Sequence, residues 1–256
     1  MPVTVTALAI APVKGMRLMA ARELELGPAG AVGDRAFVIV EEPDHRLVAT
    51  ARAPDLVQVA PRWDSDGGVL TLVFPDGEEV AAAVGLGEAV TTELYDGRRV
   101  GGRILERGPL CEAVSAHLGR RVSLMRLDPG VTGADDFPVT LMSTASLAAV
   151  GKALDDRDPD ARRFRMTVTV GGLDAWAEHG WAGREVRLGP VVRLRVVDPV
   201  PRCVVTTSDP EDGARDVPVL HALARVRGKD DVTFGVWCQV VAPGRVRRGD
   251  TVSLDG

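Results

Sequence analysis

The stretch Val69-Leu-Thr-Leu-Val-Phe-Pro-Asp-Gly-Glu-Glu-Val-Ala-Ala-Ala-Val84 holds two short β-branched or alternating runs, Val69–Phe74 and Val80–Val84. Pro75-Asp76-Gly77 divides them as a turn signal. The same style extends outward. Val3–Ile10, Ala36–Val40 and Leu47–Ala51 read as further strands, with turn signals at Gly33-Asp34 and Asp66-Gly67-Gly68. Many short strands with few helices point to a barrel or sandwich. One helix is expected at Pro109–Leu118, where Leu110, Val114 and Leu118 share a face and Gly119 can end it.

Asp128-Pro-Gly-Val-Thr-Gly-Ala-Asp-Asp136 is the best linker, rich in turn formers and poor in large apolar side chains. Beyond it, Leu147, Val150 and Leu154 predict a helix capped by Ser143 or Thr144. A third helix fits Val217–Arg227, with Asp216 as cap and Pro218 in the first turn. Strands are expected at Met166–Val170, Val186–Leu188, Val191–Val197, Val232–Val241 and Val252–Leu254. The fold class is therefore mainly β (α+β), as two mainly-β units with a few packing helices.

Composition narrows the function. The chain has 256 residues, 26% charged and 45% hydrophobic, so disorder is not its dominant state. A net charge of -5 leaves no basic footprint for nucleic acid. Cys111, Cys203 and Cys238 are too few for a disulfide framework or a four-thiolate iron–sulfur cluster, and no zinc-type spacing occurs. The opening MPVTVTALAIAPVKG is apolar for barely one strand and carries no basic leader. No apolar run approaches a membrane span. A cytoplasmic setting and no membrane partner are expected.

Cys203 is the most informative single residue. In Asp198-Pro-Val-Pro-Arg-Cys203 two prolines stiffen the approach and remove two backbone donors. A thiol beside Arg202 suits reactive or metal-ligating chemistry, while a small buried hydrophobe is the plainer alternative. Cys238 shares a strand face with Phe234, Val236 and Val240, and Cys111 lies at a helix start, so both read as core. Arg162-Arg-Phe-Arg165 offers planar guanidiniums for phosphate or carboxylate, or else a solvated turn. Lys14-Gly15 and Arg35 could each meet an anion. No Walker loop, nucleophile elbow or HExxH is present.

The order of these pieces carries more than any one of them. Pro12-Val-Lys-Gly15, Gly33-Asp-Arg35, Ser143-Thr-Ala-Ser-Leu147, Arg163-Phe-Arg165, Ala177-Glu178 with Trp181, Pro201-Arg-Cys203, Phe234-Gly235 and Gly249-Asp250 follow one another along the chain. The series resembles the MOSC family in its form with an N-terminal MOSC β-barrel region, among the bacterial relatives of the mitochondrial amidoxime-reducing component. The resemblance implies a MOSC N-terminal β-barrel region at 1–127 and a MOSC β-barrel domain at 137–256.

It further implies a molybdenum–molybdopterin cofactor with Cys203 as metal ligand and catalytic residue. Lys14, Gly15, Arg35, Ser143, Thr144, Arg163, Arg165, Thr167, Arg202 and Trp237 would bind the cofactor. The implied reaction is two-electron reduction of N-hydroxylated small molecules, amidoximes or hydroxylamines, to amine and water. The chain lacks cysteines for an iron–sulfur unit of its own, so a separate flavin or iron–sulfur electron-donor protein is implied. The alternative is a cofactor carrier, or a sulfur carrier with a Cys203 persulfide, without reductase turnover. Two positions depart from the family pattern: Thr167 stands for an amide residue, and Gly15 for a common serine.

Overall fold

The computed structural model describes residues 2–155, 157 and 159–254. The first half runs β1 (Thr4–Ile10), β2 (Met19–Ala21), β3 (Glu23–Gly27), β4 (Gly30–Ala31), β5 (Phe37–Glu41) and β6 (Arg46–Leu47). It continues with β7 (Ala60–Asp64), β8 (Val69–Val73), β9 (Glu79–Ala83), β10 (Leu86–Glu93), β11 (Arg99–Leu105), α1 (Pro109–Leu118) and β12 (Val122–Leu127). The second half holds β13 (Val139–Ser143), α2 (Thr144–Ala153), β14 (Val168–Gly171), β15 (Glu185–Leu188) and β16 (Val192–Pro201). α3 (Val219–Arg227), β17 (Thr233–Ala242), β18 (Gly244–Arg247) and β19 (Val252–Leu254) complete it. A mainly-β fold with three α-helices is what the strand-and-turn pattern predicts.

The largest sheet runs β19-β15-β16-β17-β13-β14-β1-β2. It closes on itself, because Val5 N donates to Asp250 O, Gly249 N to Val5 O and Val252 N to Val3 O at 2.8–2.9 Å. Inside lie Val5, Leu8, Leu141, Val168, Val170, Val186, Leu194, Val236 and Cys238. Every second residue of these strands faces inward, as a half-buried strand requires. Among the described strands only β13 and β14 pair in parallel, and α2 lies on the crossover that a parallel pair needs.

A five-stranded antiparallel sheet, β10-β11-β12-β5-β6, and a three-stranded one, β7-β8-β9, build the other half. Phe37, Ile39, Leu70, Leu72 and Leu124 fill the core between them, and Val38, Val40 and Met125 form a second cluster. β5 is thus apolar at four successive positions because both its faces are covered. The opening hairpin is β8–β9, turning at the predicted Pro75-Asp76-Gly77, with Gly77 N donating to Phe74 O.

The two halves of the chain are interleaved, since β1 and β2 belong to the largest sheet with strands of the second half, and β3 pairs with β18. Two expectations change. Leu47–Ala51 is no strand: β6 is two residues long and a 3-10 turn follows at Thr50–Arg52. Asp216 does not cap α3, whose N-cap is Pro218 with no side-chain bond, because the Asp216 carboxylate is taken by Arg163. Among the described residues no helix is long and apolar enough to cross a membrane.

Candidate functional site

Where the two halves meet lies a cleft of about 670 Å³. Lys14, Gly15, Arg35, Arg163, Arg165, Thr167, Arg202, Cys203 and Trp237 all line it. Ser143 and Thr144 do not.

The strands explain the placements. β16 continues through Pro199 and Pro201, but its register against β17 shifts on both sides of Pro199. The missing donors break the ladder and the chain leaves the sheet at Arg202. Cys203 then precedes a 3-10 turn, Val204–Thr207, and its carbonyl accepts from Thr206 N at 3.2 Å and Thr206 Oγ1 at 3.0 Å. Of the three thiols it alone is exposed. Burial raises the Cys111 thiol and pushes Cys238 up to about 12, so neither offers a thiolate near neutral pH.

Gly15 sits at φ 91°, a region closed to most side chains. A Cβ there would stand 3.1 Å from Leu56 Cδ1 and 3.2 Å from Thr50 Oγ1. The glycine thus answers a local steric demand in a buried turn. Thr167 is buried and exchanges bonds with its strand neighbour: its amide donates to Thr140 Oγ1 at 3.0 Å, and the Thr140 amide donates to Thr167 Oγ1 at 3.4 Å. Thr140 pairs with Trp237 across β13 and β17, and Trp237 meets Phe137 with ring centroids 5.6 Å apart. Thr140 and Phe137 therefore complete the wall.

The cations divide into two kinds. Arg163 is consumed by protein: its guanidinium donates to Asp216 at 2.7 and 2.8 Å and to Asp209 at 3.2 Å, anchoring the loop after Cys203. The others are under-compensated. Lys14 Nζ donates to Gly133 O and Asp135 Oδ1, both at 2.7 Å, yet burial holds it below the ordinary lysine range. Arg35 pairs with Asp34 and donates to Arg165 O at 3.3 Å. Arg165 donates to Met16 O at 2.7 Å and has no carboxylate partner among the described residues. Burial, then repulsion from Arg35, brings it down to about 10.

Arg202 is likewise without a carboxylate: it donates to Phe234 O at 2.6 Å, Phe164 O at 3.1 Å and Met166 Sδ at 2.8 Å. Burial lowers it to about 9. Lys14 and Arg35 thus have one carboxylate partner each, and the buried Arg165 and Arg202 have none among the described residues. Arg35 and Arg165 also hold left-handed backbones, φ 48° and 53°, a conformation that costs a non-glycine residue and concentrates at functional sites.

The helix N-terminus expected to meet an anion is already filled. Ser143 caps α2, with Oγ accepting from Ser146 N at 3.0 Å, while the fully buried Glu178 accepts from Ser143 N at 3.1 Å and Ser146 Oγ at 2.9 Å. The chain supplies its own carboxylate there. Among the described residues no three His, Cys, Asp or Glu converge as a metal site.

Closed β-barrel, crossed-over parallel pair and cationic cleft with one accessible thiol define the class of β protein. The chain belongs to the MOSC family: residues 128–253 match the MOSC domain and residues 2–98 the MOSC N-terminal beta barrel domain. It is 26% identical over 292 residues to mitochondrial amidoxime-reducing component 1 of Homo sapiens, covering 99% of this chain and 83% of that protein. It is 24% identical to the molybdenum cofactor sulfurase of Caenorhabditis briggsae, covering 91% of this chain and 33% of that protein. The YuaD protein of Bacillus subtilis shares the fold, with TM-score 0.52 at 14% identity over 99% of this chain and 96% of that one.

Proposed function

We propose that this chain is a cytoplasmic, molybdenum-cofactor-dependent reductase of N-hydroxylated compounds, with Cys203 as the protein's ligand to the metal. One observation carries the reading: the accessible thiol shares its cleft with cations that outnumber their carboxylates. A metal held by one protein thiolate takes its other donors from a chelate, and a phosphate-bearing pterin is such a group. The residues fit it. Lys14, through its remaining N–H, and Arg35 and Arg165 would hold the phosphate through charge-assisted bonds, with Asp135 staying on Lys14. Arg202 and Arg163 line the same cleft, Arg202 tied to the backbone of Phe164 and Phe234 and Arg163 to the loop after Cys203.

When bound, the cofactor supplies the two-electron chemistry that removes oxygen from nitrogen. The chain orients and shelters. Phe137 and Trp237 give an apolar wall for a flat substrate, and the bonded pair Thr140–Thr167 fixes the floor beside them. Electrons come from a separate flavin or iron–sulfur protein. The likeness to a cofactor sulfurase supports a second reading, in which Cys203 carries a persulfide.

The test is molybdenum per chain, by elemental mass spectrometry, in wild type and Cys203→Ala from a pterin-competent host. About one equivalent in the wild type, little in the variant, and amidoxime reduction with reduced viologen support the reductase. Full molybdenum without turnover leaves a carrier. Near-zero molybdenum with a mass adduct of about 32 Da, lost on thiol treatment, favours the persulfide.

A further inference from the structure

Reducing an N-hydroxy compound breaks the N–O bond, takes up two electrons and two protons and releases the oxygen as water. One proton must reach the departing oxygen. Three carboxyl side chains line the cleft: Glu93, Asp135 and Asp136. Asp135 is spoken for by Lys14 at 2.7 Å. The Asp136 carboxyl has no hydrogen bond or ion pair among the described residues, although its backbone is firmly held. Its amide donates to Asp96 Oδ2 at 3.1 Å, and Arg98, itself bound to Asp96, donates to Ala134 O. The turn between β10 and β11 thereby grips the 134–136 loop and fixes Asp136 in a left-handed backbone, φ 54°.

We infer that Asp136 is the general acid that protonates the departing oxygen, with Asp96 and Arg98 as its positioning residues. The inference rests on the reductase reading above. Asp136 stands exposed on the cleft wall, and desolvation first, then Asp96 and Asp135, push its carboxyl upward from the ordinary aspartate value, against Arg98 and Lys14. Glu93, at the end of β10, is the remaining acid facing the cleft. In the balanced step Asp136 gives its proton to the oxygen as the N–O bond breaks. Water carries the second proton to nitrogen, the external donor protein provides both electrons, and solvent reprotonates Asp136.

Asp136→Asn keeps size and tolerance of the left-handed backbone, so it tests the acid alone. In cofactor-free protein, carbon-13 NMR of labelled aspartates is expected to show a carboxyl titrating above the ordinary range. That signal vanishes in Asp136→Asn and moves down in Asp135→Asn. In molybdenum-loaded protein with an aryl amidoxime and reduced viologen, Asp136→Asn lowers kcat about 100-fold or more. Molybdenum per chain and KM hold, the pH profile loses the limb set by Asp136, and added formate restores part of the rate. An Asp136→Asn enzyme with unchanged kcat and pH profile overturns the inference, as does an NMR titration lacking the raised carboxyl. A loaded wild type that reduces no N-hydroxylated compound sinks the reductase reading, and the acid role falls with it.

Discussion

Two places in this molecule are built to receive negative charge, and they are finished differently. At the N-terminus of α2 the chain brings Glu178, buries it completely and gives it Ser143 N and Ser146 Oγ. In the cleft it gives Lys14 and Arg35 one carboxylate partner each, the half-exposed Asp135 and Asp34, and leaves Arg165 and Arg202 with none among the described residues. A self-filled site holds the fold; a site left short of anion is held in readiness for a ligand. Removing a charge should therefore have opposite consequences in the two places.

The largest stability effect is expected at the filled site. Glu178→Ala strands Ser143 N and Ser146 Oγ without their acceptor and should cost about 3 kcal/mol in denaturant unfolding, with anion binding in the cleft unchanged. Arg163→Met comes next, at about 2 kcal/mol, the figure tempered by the solvent exposure of Asp216. A Glu178→Ala protein as stable as wild type would erase the distinction. Arg165→Met should sharpen it, because losing a buried cation without a carboxylate raises the stability of cofactor-free protein by about 1 kcal/mol. The same variant should lose pyrophosphate binding, read by calorimetry. Destabilisation together with intact binding would place Arg165 among the structural residues.

The last effect is confined to acid. His179 lies beside Trp176, Arg227 and Arg202, its ring nitrogens buried without partners, and burial brings it down to about 4 from 6.5. Between those values the unfolded chain takes a proton that the native imidazole refuses. Stability is therefore lost as pH falls from about 6.5 toward 4. The Tm of His179→Phe should fall less steeply over that window than wild type. Equal slopes would assign the acid sensitivity to the carboxylates.

Much of the β framework was legible because alternation and Pro-Asp-Gly or Gly-Asp turns are local signals, as in Val69–Val84. The short β2, β4 and β6 were not, since a strand of two or three residues has no period to read. The candidate site was legible as a set of residues through its order along the chain, but not as individual roles. Arg163 and Arg165 are two positions apart and both line the cleft, yet one locks Asp216 and the other has no carboxylate partner among the described residues. The left-handed turn at Arg165, φ 53°, separates them, and nothing in the letters announces it. Asp135 and Asp136 read as linker, because their partners Lys14 and Asp96 come from distant parts of the chain. Thr144 read as a cap because hydroxyl residues favour helix starts, but only Ser143 has the geometry.

The seam that closes the barrel has a consequence for how the chain is made. β1 pairs along one edge with residues 168–171; on the other edge its end pairs with the nearby β2 and its start with residues 249–252, so two of its three partners come late in synthesis. Until they arrive, β1 has one edge open along its length and the other closed only from Leu8 onward by β2, so Val5 lies in the kind of segment that seeks partners in other chains. Closing so long a loop late makes folding slow relative to a helical protein of equal size. The neighbouring β5–β12 sheet needs no such wait. Its core can be in place while the barrel is still a set of unpaired strands.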